Sequence, residues 1–551
     1  MRLVAGAAVV LLFLVANRGA YRGYFSDDDL NNIAWARQEP ASTFVEGLAA
    51  PRYYLHHFRP VGHSTFAALA QTAGLDFRWY VAVLHLLHIA TCLALWRLLL
   101  RLGAGELGAA CGAVFLLFQM ALFEAIWKPM YLFDVWCGLF SVLTLLAWTG
   151  GRFWLSLVFF WFAFKSKEHA VMLVPAIAMY EWWLGERRWK RLAPMVAVAM
   201  VFGLQGVFMN RQASPDYTLH ASVSSIGKTV SFYFSRVWVA ALLLVPAARD
   251  RRAWWGLGTA LALLFPLLML PGRLFAAYLY APMLGVAIVA AVAASRVHWG
   301  VIAAFFAIWI PWNYQQMREQ RRTELTTAQQ NRAYVRDILE LPRRMPDVRN
   351  FIHDGAPPGM KPWGIEGILR TVYDTMQIDV YASDSKDLAR VVAAGPVALL
   401  SWDALASTVH THSHRPGEPD ASYLETGRYM PVWQLLDGWY EAENTFRWTK
   451  PRATARLWKP AGAREFEVRV NVGSGFLREV GRPTLAVSMN GLLLGEAAFD
   501  AAGWQTARVP VPSGPAATVT VEFASPLYRP ASGDPRKLGV PLGAFGFKEP
   551  K

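Results

Sequence analysis

Three consecutive carboxylates, Asp27-Asp28-Asp29, begin seven residues after the first long apolar run of the chain. Like charges crowded in this way repel, raise one another's pKa and attract cations. A carboxylate placed there can take the proton of an acceptor hydroxyl, or hold a divalent metal such as Mg or Mn. The same triplet after Ser26 also suits a solvated acidic turn that caps a helix, since Asp is a good N-cap.

Further along the same polar stretch the sequence reads Tyr53-Tyr54-Leu55-His56-His57-Phe58-Arg59-Pro60-Val61-Gly62-His63. Arg59 and His63 suit a phosphate or pyrophosphate group, and the aromatic and basic mixture also suits anchoring at lipid headgroups. Glu124 lies at the end of an apolar run. A lone carboxylate at that depth is a functional candidate, with a salt bridge to Lys128, four residues on, as the alternative. Lys165-Ser166-Lys167-Glu168-His169 interrupts another apolar run, where charge is costly unless paired or used. Lys167 can meet a phosphate and Glu168 can orient it, or the group simply snorkels to a boundary. His85 and His88, three apart on one helical face, read as buried packing residues, with lining of the cavity as the alternative. Arg273, a few residues before Tyr278 and Tyr280, is a further phosphate contact.

These residues must be positioned by membrane helices. Hydrophobic residues make up 54% of the 551 and charged residues 17%, against about a quarter charged in soluble domains. About eleven stretches are long and apolar enough to span a bilayer, near 3–20, 79–100, 104–122, 130–149, 152–166, 168–184, 192–209, 235–248, 254–271, 276–294 and 297–313. The first reads as an uncleaved anchor. With the N-terminus in the cytoplasm, every inside turn is basic: Arg97 and Arg101, Arg152, Arg187 to Arg191, Arg249 to Arg252, and Arg296. The carboxylates, Arg59, Glu124, Lys167 and Arg273 then all fall outside, as does everything after 313. In a bacterial inner membrane that side is the periplasm. The net charge of +14 is spent largely on these turns. With no reader motif to support it, the charge does not indicate nucleic-acid binding. Cys92, Cys111 and Cys137 sit in apolar runs as small buried hydrophobes.

Taken together, these residues resemble the GT-C superfamily of membrane glycosyltransferases, which includes protein O-mannosyltransferases and aminoarabinose transferases. Asp28-Asp29 looks like the acidic pair after the first span, here extended to a triplet by Asp27. Glu124-Ala125-Ile126-Trp127 is close to the second acidic motif, with Gln119-Met120 where His-Pro is usual. Phe58-Arg59-Pro60, Lys167-Glu168 with Pro175, and Arg273 with Tyr278, Tyr280 and Pro282 resemble later signatures in the same order. The resemblance covers residues 1 to about 312. It implies a polyprenyl-phosphate sugar as donor and a protein, lipid or glycan acceptor. Asp28 would be the general base, and Glu124 would assist the acceptor or a metal. Arg59, Lys167 and Arg273 would stabilise the departing lipid phosphate, and single displacement would invert the anomeric centre.

The fold expected is therefore a polytopic α-helical membrane protein, GT-C-like over 1–313, followed by an extracytoplasmic α/β segment with a linker over 314–430 and a β-sandwich over 431–551. Residues 406–430 read as the linker, and their alternating His410, His412 and His414 as a flexible loop, with metal binding as the alternative. Alternation at Phe466, Val468, Val470 and Val472, at Leu485, Val487 and Met489, and at Val519, Val521 and Phe523, with Asn490-Gly491 as a hairpin turn, marks the strands. Trp439, Tyr440 and Trp448 are placed either to stack on sugar rings or to fill the core. A lipid-linked-sugar flippase, or a catalytically silent glycan binder, is the competing reading. A transporter would put ionisable groups near the midplane with repeat symmetry, which the sequence lacks.

Overall fold

The computed structural model describes residues 2–51, 58–209, 218–220, 222–383, 385–431, 433–530 and 533–548. Two compact units divide the chain, Met1–Gln329 and Gln330–Lys551.

The first unit is helical: α1 Arg2–Ala16, α2 Asp27–Gln38, α3 Ala41–Ala49, α4 Pro60–Thr72, α5 Phe77–Arg101, α6 Gly105–Leu117, α7 Phe123–Trp127, α8 Leu132–Thr149, α9 Phe153–Ser166, α10 Leu173–Trp183, α11 Trp189–Met209, α12 Val223–Val237, α13 Val239–Ala247, α14 Arg251–Leu268, α15 Pro282–Ala294, α16 Trp299–Gln316 and α17 Arg318–Ile338, which runs past the boundary. Phe77–Arg101, Gly105–Trp127 and Pro129–Thr149 are long and apolar enough to cross a membrane, and α12 with α13 qualifies as one span bent by 71°. Val4–Ala16, Phe153–Ser166 and Pro282–Ala294 are apolar but shorter. The unit is that of a multi-pass membrane protein.

Two of the expected spans differ in a way that matters for the site. The run expected at 104–122 breaks after Phe118, where the Gln119 side chain accepts from Ala121 N at 3.1 Å and Asn313 donates to Phe118 O at 2.6 Å. Side-chain bonds thus satisfy backbone groups that a continuous helix would have used, and α7 carries Glu124 on a separate turn. The run expected at 235–248 starts a helix earlier, at Val223, and bends at Trp238.

α15 is buried on every face, as a helix apolar all round must be. Small residues let its neighbours close on it. A Cβ on Gly112 would meet Ala287 O at 2.8 Å, and one on Gly256 would meet Gly285 O at 2.7 Å.

The basic turns gather at one end of this unit. Arg252 donates to Leu102 O and Gly103 O at 2.9 and 2.7 Å, Arg296 reaches Asp250 at 2.9 Å, and Ser295 donates to Ala104 O at 2.6 Å. At the end of α8, Trp148 and Arg188 both hold the buried Glu181. The opposite ends of α5 and α8 start beside Phe25 and at Asp134. Five turns that the Lys/Arg pattern assigned to one side thus end on one side, away from the acidic triplet.

In the second unit, β1 Asn350–Asp354, β2 Asp379–Ala382, β3 Val397–Asp403 and β4 Thr408–His414 form a sheet ordered β2-β1-β3-β4. β1 runs parallel to β2 and β3, and β4 is antiparallel to β3. Helices Pro362–Tyr373 and Leu388–Ala394 accompany it. The three alternating histidines, expected in a linker, lie in β4. Their polar spacing disguised an edge strand whose side chains are mostly half-buried.

The remaining strands are β5 Tyr423–Glu425, β6 Leu435–Glu443, β7 Phe446–Lys459, β8 Glu465–Val472, β9 Thr484–Met489, β10 Leu492–Ala498, β11 Gly503–Pro510, β12 Ala517–Ala524 and β13 Pro541–Lys548. They form a sheet ordered β10-β9-β12-β7-β13-β8-β11, with β5 on β13 and β6 on β7. Its strands wrap one apolar core that includes Phe466, Val468, Val470, Leu485, Val487 and Val521. The alternating positions read from the sequence thus point inward. Asn490 and Gly491 turn β9 into β10 with φ of 49° and 84°, as a two-residue hairpin requires.

Candidate active site

Ser26 is the N-cap of α2 and Asp29 its third residue. Ser26 N donates to Asp29 Oδ2 at 2.9 Å, and Ser26 Oγ approaches the same oxygen at 3.3 Å. This is a capping box, which fixes where the helix starts. Asp29 is consequently buried, Asp27 half-buried and Asp28 exposed. Burial pushes the Asp29 carboxyl up to about 7. The Ser26 amide and Lys128 pull against that rise and Asp28 adds to it. Asp29 Oδ1 has no hydrogen-bond partner among the described residues, and the same holds for Glu124 Oε2.

Lys128 lies between these two acids electrostatically. Its ion pair is with Glu324, at 2.7 Å. Burial pulls the ammonium down, but Glu324 first, then Glu124 and Asp29, hold it above its ordinary value. Glu324 comes from α17, more than 190 residues away in sequence. Glu124, Lys128 and Glu324 line a cavity of about 610 Å³, with Arg236, Trp238 and Trp312 on its other walls.

A second cluster carries the phosphate candidates. Arg59 makes a two-pronged pair with Glu168, Nε to Oε1 at 3.0 Å and Nη2 to Oε2 at 3.1 Å. Lys167 Nζ lies 2.6 Å from both oxygens of Asp134 and 4.2 Å from the centre of the Tyr278 ring. Arg273 donates to the Tyr278 hydroxyl at 3.1 Å. His63 closes the turn at Arg59, with Nδ1 at 3.0 Å from the Arg59 amide, and packs against Trp35, Phe58 and Phe133. Pro60, at the first position of α4, sets the helix start just after Arg59. Lys167 is the extended residue between α9 and the 3-10 turn Glu168–Met172, so its break in helix turns it towards Asp134.

Tyr131, buried at the end of the 3-10 turn Pro129–Tyr131, lies three residues after Lys128 and three before Asp134, so this short segment joins the two clusters. The structure thus brings together Asp28, Asp29, Glu124, Arg59, His63, Lys167, Glu168, Arg273 and Tyr278, and Asp27 begins the same helix turn as Asp28. Tyr53 to His57 lie outside the described residues. His85 and His88 face inward between helices: His85 meets the Tyr21 hydroxyl at 3.1 Å, and His88 meets the Tyr280 hydroxyl at 2.8 Å and Leu117 O at 3.2 Å. Cys92, Cys111 and Cys137 are buried free thiols.

Asp134, Tyr131 and Glu324 were missed. A lone Asp two residues into an apolar helix is the same signal that marked Glu124. Glu324, on a polar helix, carries no such signal. No group of three or more His, Cys, Asp or Glu side chains among the described residues is placed to hold a metal ion.

In the second unit, Trp439 stacks on Phe545, and its indole N–H donates to Thr454 O at 2.8 Å. Trp448 stacks on Tyr528. Trp439 and Tyr440 also line a cavity of about 340 Å³ with Trp433, Glu441, Arg447 and Lys450.

No protein-family model matches the chain, and no curated protein does. It is similar, at low identity, to solved structures of an arabinofuranosyltransferase, of ArnT and of an arabinosyltransferase. A mutant of the arabinofuranosyltransferase AftD from mycobacteria shares 12% identity over 98% of this chain and 61% of that one, with a TM-score of 0.46. ArnT from Cupriavidus metallidurans shares 14% over 78% of this chain and 96% of that one, with a TM-score of 0.45. The arabinosyltransferase EmbB from Mycobacterium smegmatis shares 12% over 98% and 64%, with a TM-score of 0.34. This chain spans about three fifths of the length of the AftD structure.

Proposed function

We propose that this protein is a membrane glycosyltransferase that moves a sugar from a polyprenyl-phosphate donor to an acceptor hydroxyl, on the extracytoplasmic face of a bacterial inner membrane. The observation that carries the reading is the convergence of three cations from distant segments, Arg59, Lys167 and Arg273, around the carboxylates of Glu168 and Asp134 and the side chain of Tyr278.

The chemistry follows from charge. The glycosidic C–O bond to phosphate breaks while the acceptor oxygen attacks the anomeric carbon from the opposite face. The leaving lipid phosphate gains negative charge, and the acceptor hydroxyl loses a proton. Arg59, Lys167 and Arg273 face the first change. Glu168 and Asp134 hold Arg59 and Lys167 in place. Glu168 occupies Nε and Nη2 of Arg59, so the phosphate meets its Nη1 edge. Asp28, exposed at the start of α2, takes the proton. Asp29, capped and buried, positions it. Glu124 orients the acceptor from the cavity wall. Donors already aimed where charge develops need no rearrangement during the reaction. Mg and Mn enter as variables of the test. The cavity at Trp439 and Tyr440 supports contact with a glycan-bearing acceptor.

The test is transfer from radiolabelled polyprenyl-phosphate hexoses and pentoses to a membrane-extract acceptor, with and without EDTA, Mg and Mn. Wild type is expected to transfer, and Asp28→Asn to lose at least about a hundredfold in rate. Donor-binding protein that transfers nothing under any condition would favour the silent binder or the flippase.

A further inference from the structure

Two segments bring five arginines to one cavity of about 520 Å³. Arg18 and Arg22 come from the 3-10 turn after α1, and Arg318, Arg321 and Arg322 from the first turns of α17. Val15, Trp127 and Leu325 form its apolar wall.

Among the described residues none of the five arginines is in an ion pair, whereas Glu324 of the same helix is taken by Lys128 at 2.7 Å. Glu319 and Glu324 line the separate cavity beside Glu124. α17 therefore sorts its charges, acids towards one cavity and arginines towards the other. Arg321 gives one bond to Tyr314 O at 2.9 Å, and its Nε is buried with no acceptor among the described residues. Burial, with Arg318 adding to it against Tyr314, holds that guanidinium below its ordinary value. Five like charges around one space repel, and an anion with several acceptor oxygens relieves them.

The second observation concerns α1. Val4, Leu11, Leu12 and Val15 are 73%, 62%, 55% and 50% exposed, so one side of this helix is bare of protein and runs up to the cavity at Val15. A guanidinium-lined cavity at the end of an exposed apolar helix face matches a molecule with an anionic head and an apolar tail.

We propose that this cavity binds the phosphate head of a membrane lipid, its chain lying along α1. The site is distinct from Arg59, Lys167 and Arg273, and does not depend on the activity proposed above.

The full-length protein, delipidated in neutral detergent, would be titrated with short-chain phosphatidylglycerol, a short polyprenyl monophosphate, phosphatidylcholine and inorganic phosphate. The readouts are Trp fluorescence and the thermal midpoint. Arg18→Gln and Arg322→Gln are the variants, because both side chains are exposed and their loss leaves packing intact. Phosphatidylglycerol or the polyprenyl phosphate should bind and raise the midpoint. Each variant should weaken binding roughly tenfold, as loss of a charge-assisted bond does. The stronger of the two ligands identifies the lipid. Equal binding of phosphatidylcholine, unchanged affinity in both variants, or inorganic phosphate matching the lipids would each overturn the proposal.

Discussion

Lys167 and Asp134 offer a test of how the site is held. The ammonium sits 2.6 Å from both carboxylate oxygens, with side-chain exposures of 10% and 3%. At that distance and an effective dielectric of about 20, the gross attraction is about 6 kcal/mol. Desolvation of both ions offsets most of it, so the pair contributes little net stability. Removing one partner is different, because it strands the other as a buried charge at a cost of about 3–5 kcal/mol. Asp134→Asn and Lys167→Met should each lower stability by that order. The double variant, with no stranded charge, should recover about 2–3 kcal/mol of the summed loss, within the range measured for contacting pairs. The assay is thermal unfolding of purified protein in detergent for the four forms, run beside donor binding. Stability should recover in the double variant while donor binding stays lost, because the phosphate contact is gone with Lys167. Additive losses would refute the pairing, and recovered donor binding would refute the phosphate role of Lys167.

Asp29 predicts a pH dependence. Its folded carboxyl titrates at about 7, against about 3.9 in an unfolded chain. Between these values the folded state keeps a proton that the unfolded state has lost, so stability falls as pH rises from about 4 through about 7 and levels above. Thermal midpoints across that range should slope downward in wild type and less so in Asp29→Asn; equal slopes would count against the buried carboxyl. Arg59→Lys keeps the charge but loses the two-pronged bond to Glu168. The donor KM should rise roughly tenfold, and an unchanged KM would remove Arg59 from the donor site. Gly256→Leu should destabilise by about 3 kcal/mol, because a side chain there meets Gly285 O and Ile288 on α15. A midpoint within a degree of wild type would show that α14 and α15 are not packed this closely.

Much of this protein is local in origin. Ser26 followed three residues later by Asp29 starts α2 wherever the helix lies, because the capping bonds span one turn. Alternation in β8, β9 and β12 marks inward faces because a strand's period is two. Asn490-Gly491 turns the hairpin because both residues tolerate positive φ. The Arg-rich turns sort to one end because their charge resists the bilayer, and the helices between them are long enough to keep the ends apart.

The pairings are another matter. Lys167 and Asp134 are 33 residues apart, Arg59 and Glu168 are 109, and Lys128 reaches Glu324 across nearly 200. Each partner reads in isolation as a residue of open purpose, and only the fold decides which charge meets which. The same holds for the triplet. Spacing leaves Asp27, Asp28 and Asp29 equivalent, and the tertiary structure separates them, burying one, half-burying another and leaving Asp28 at the surface, because a helix turns each successive side chain by about 100° and only one of the three directions faces the core.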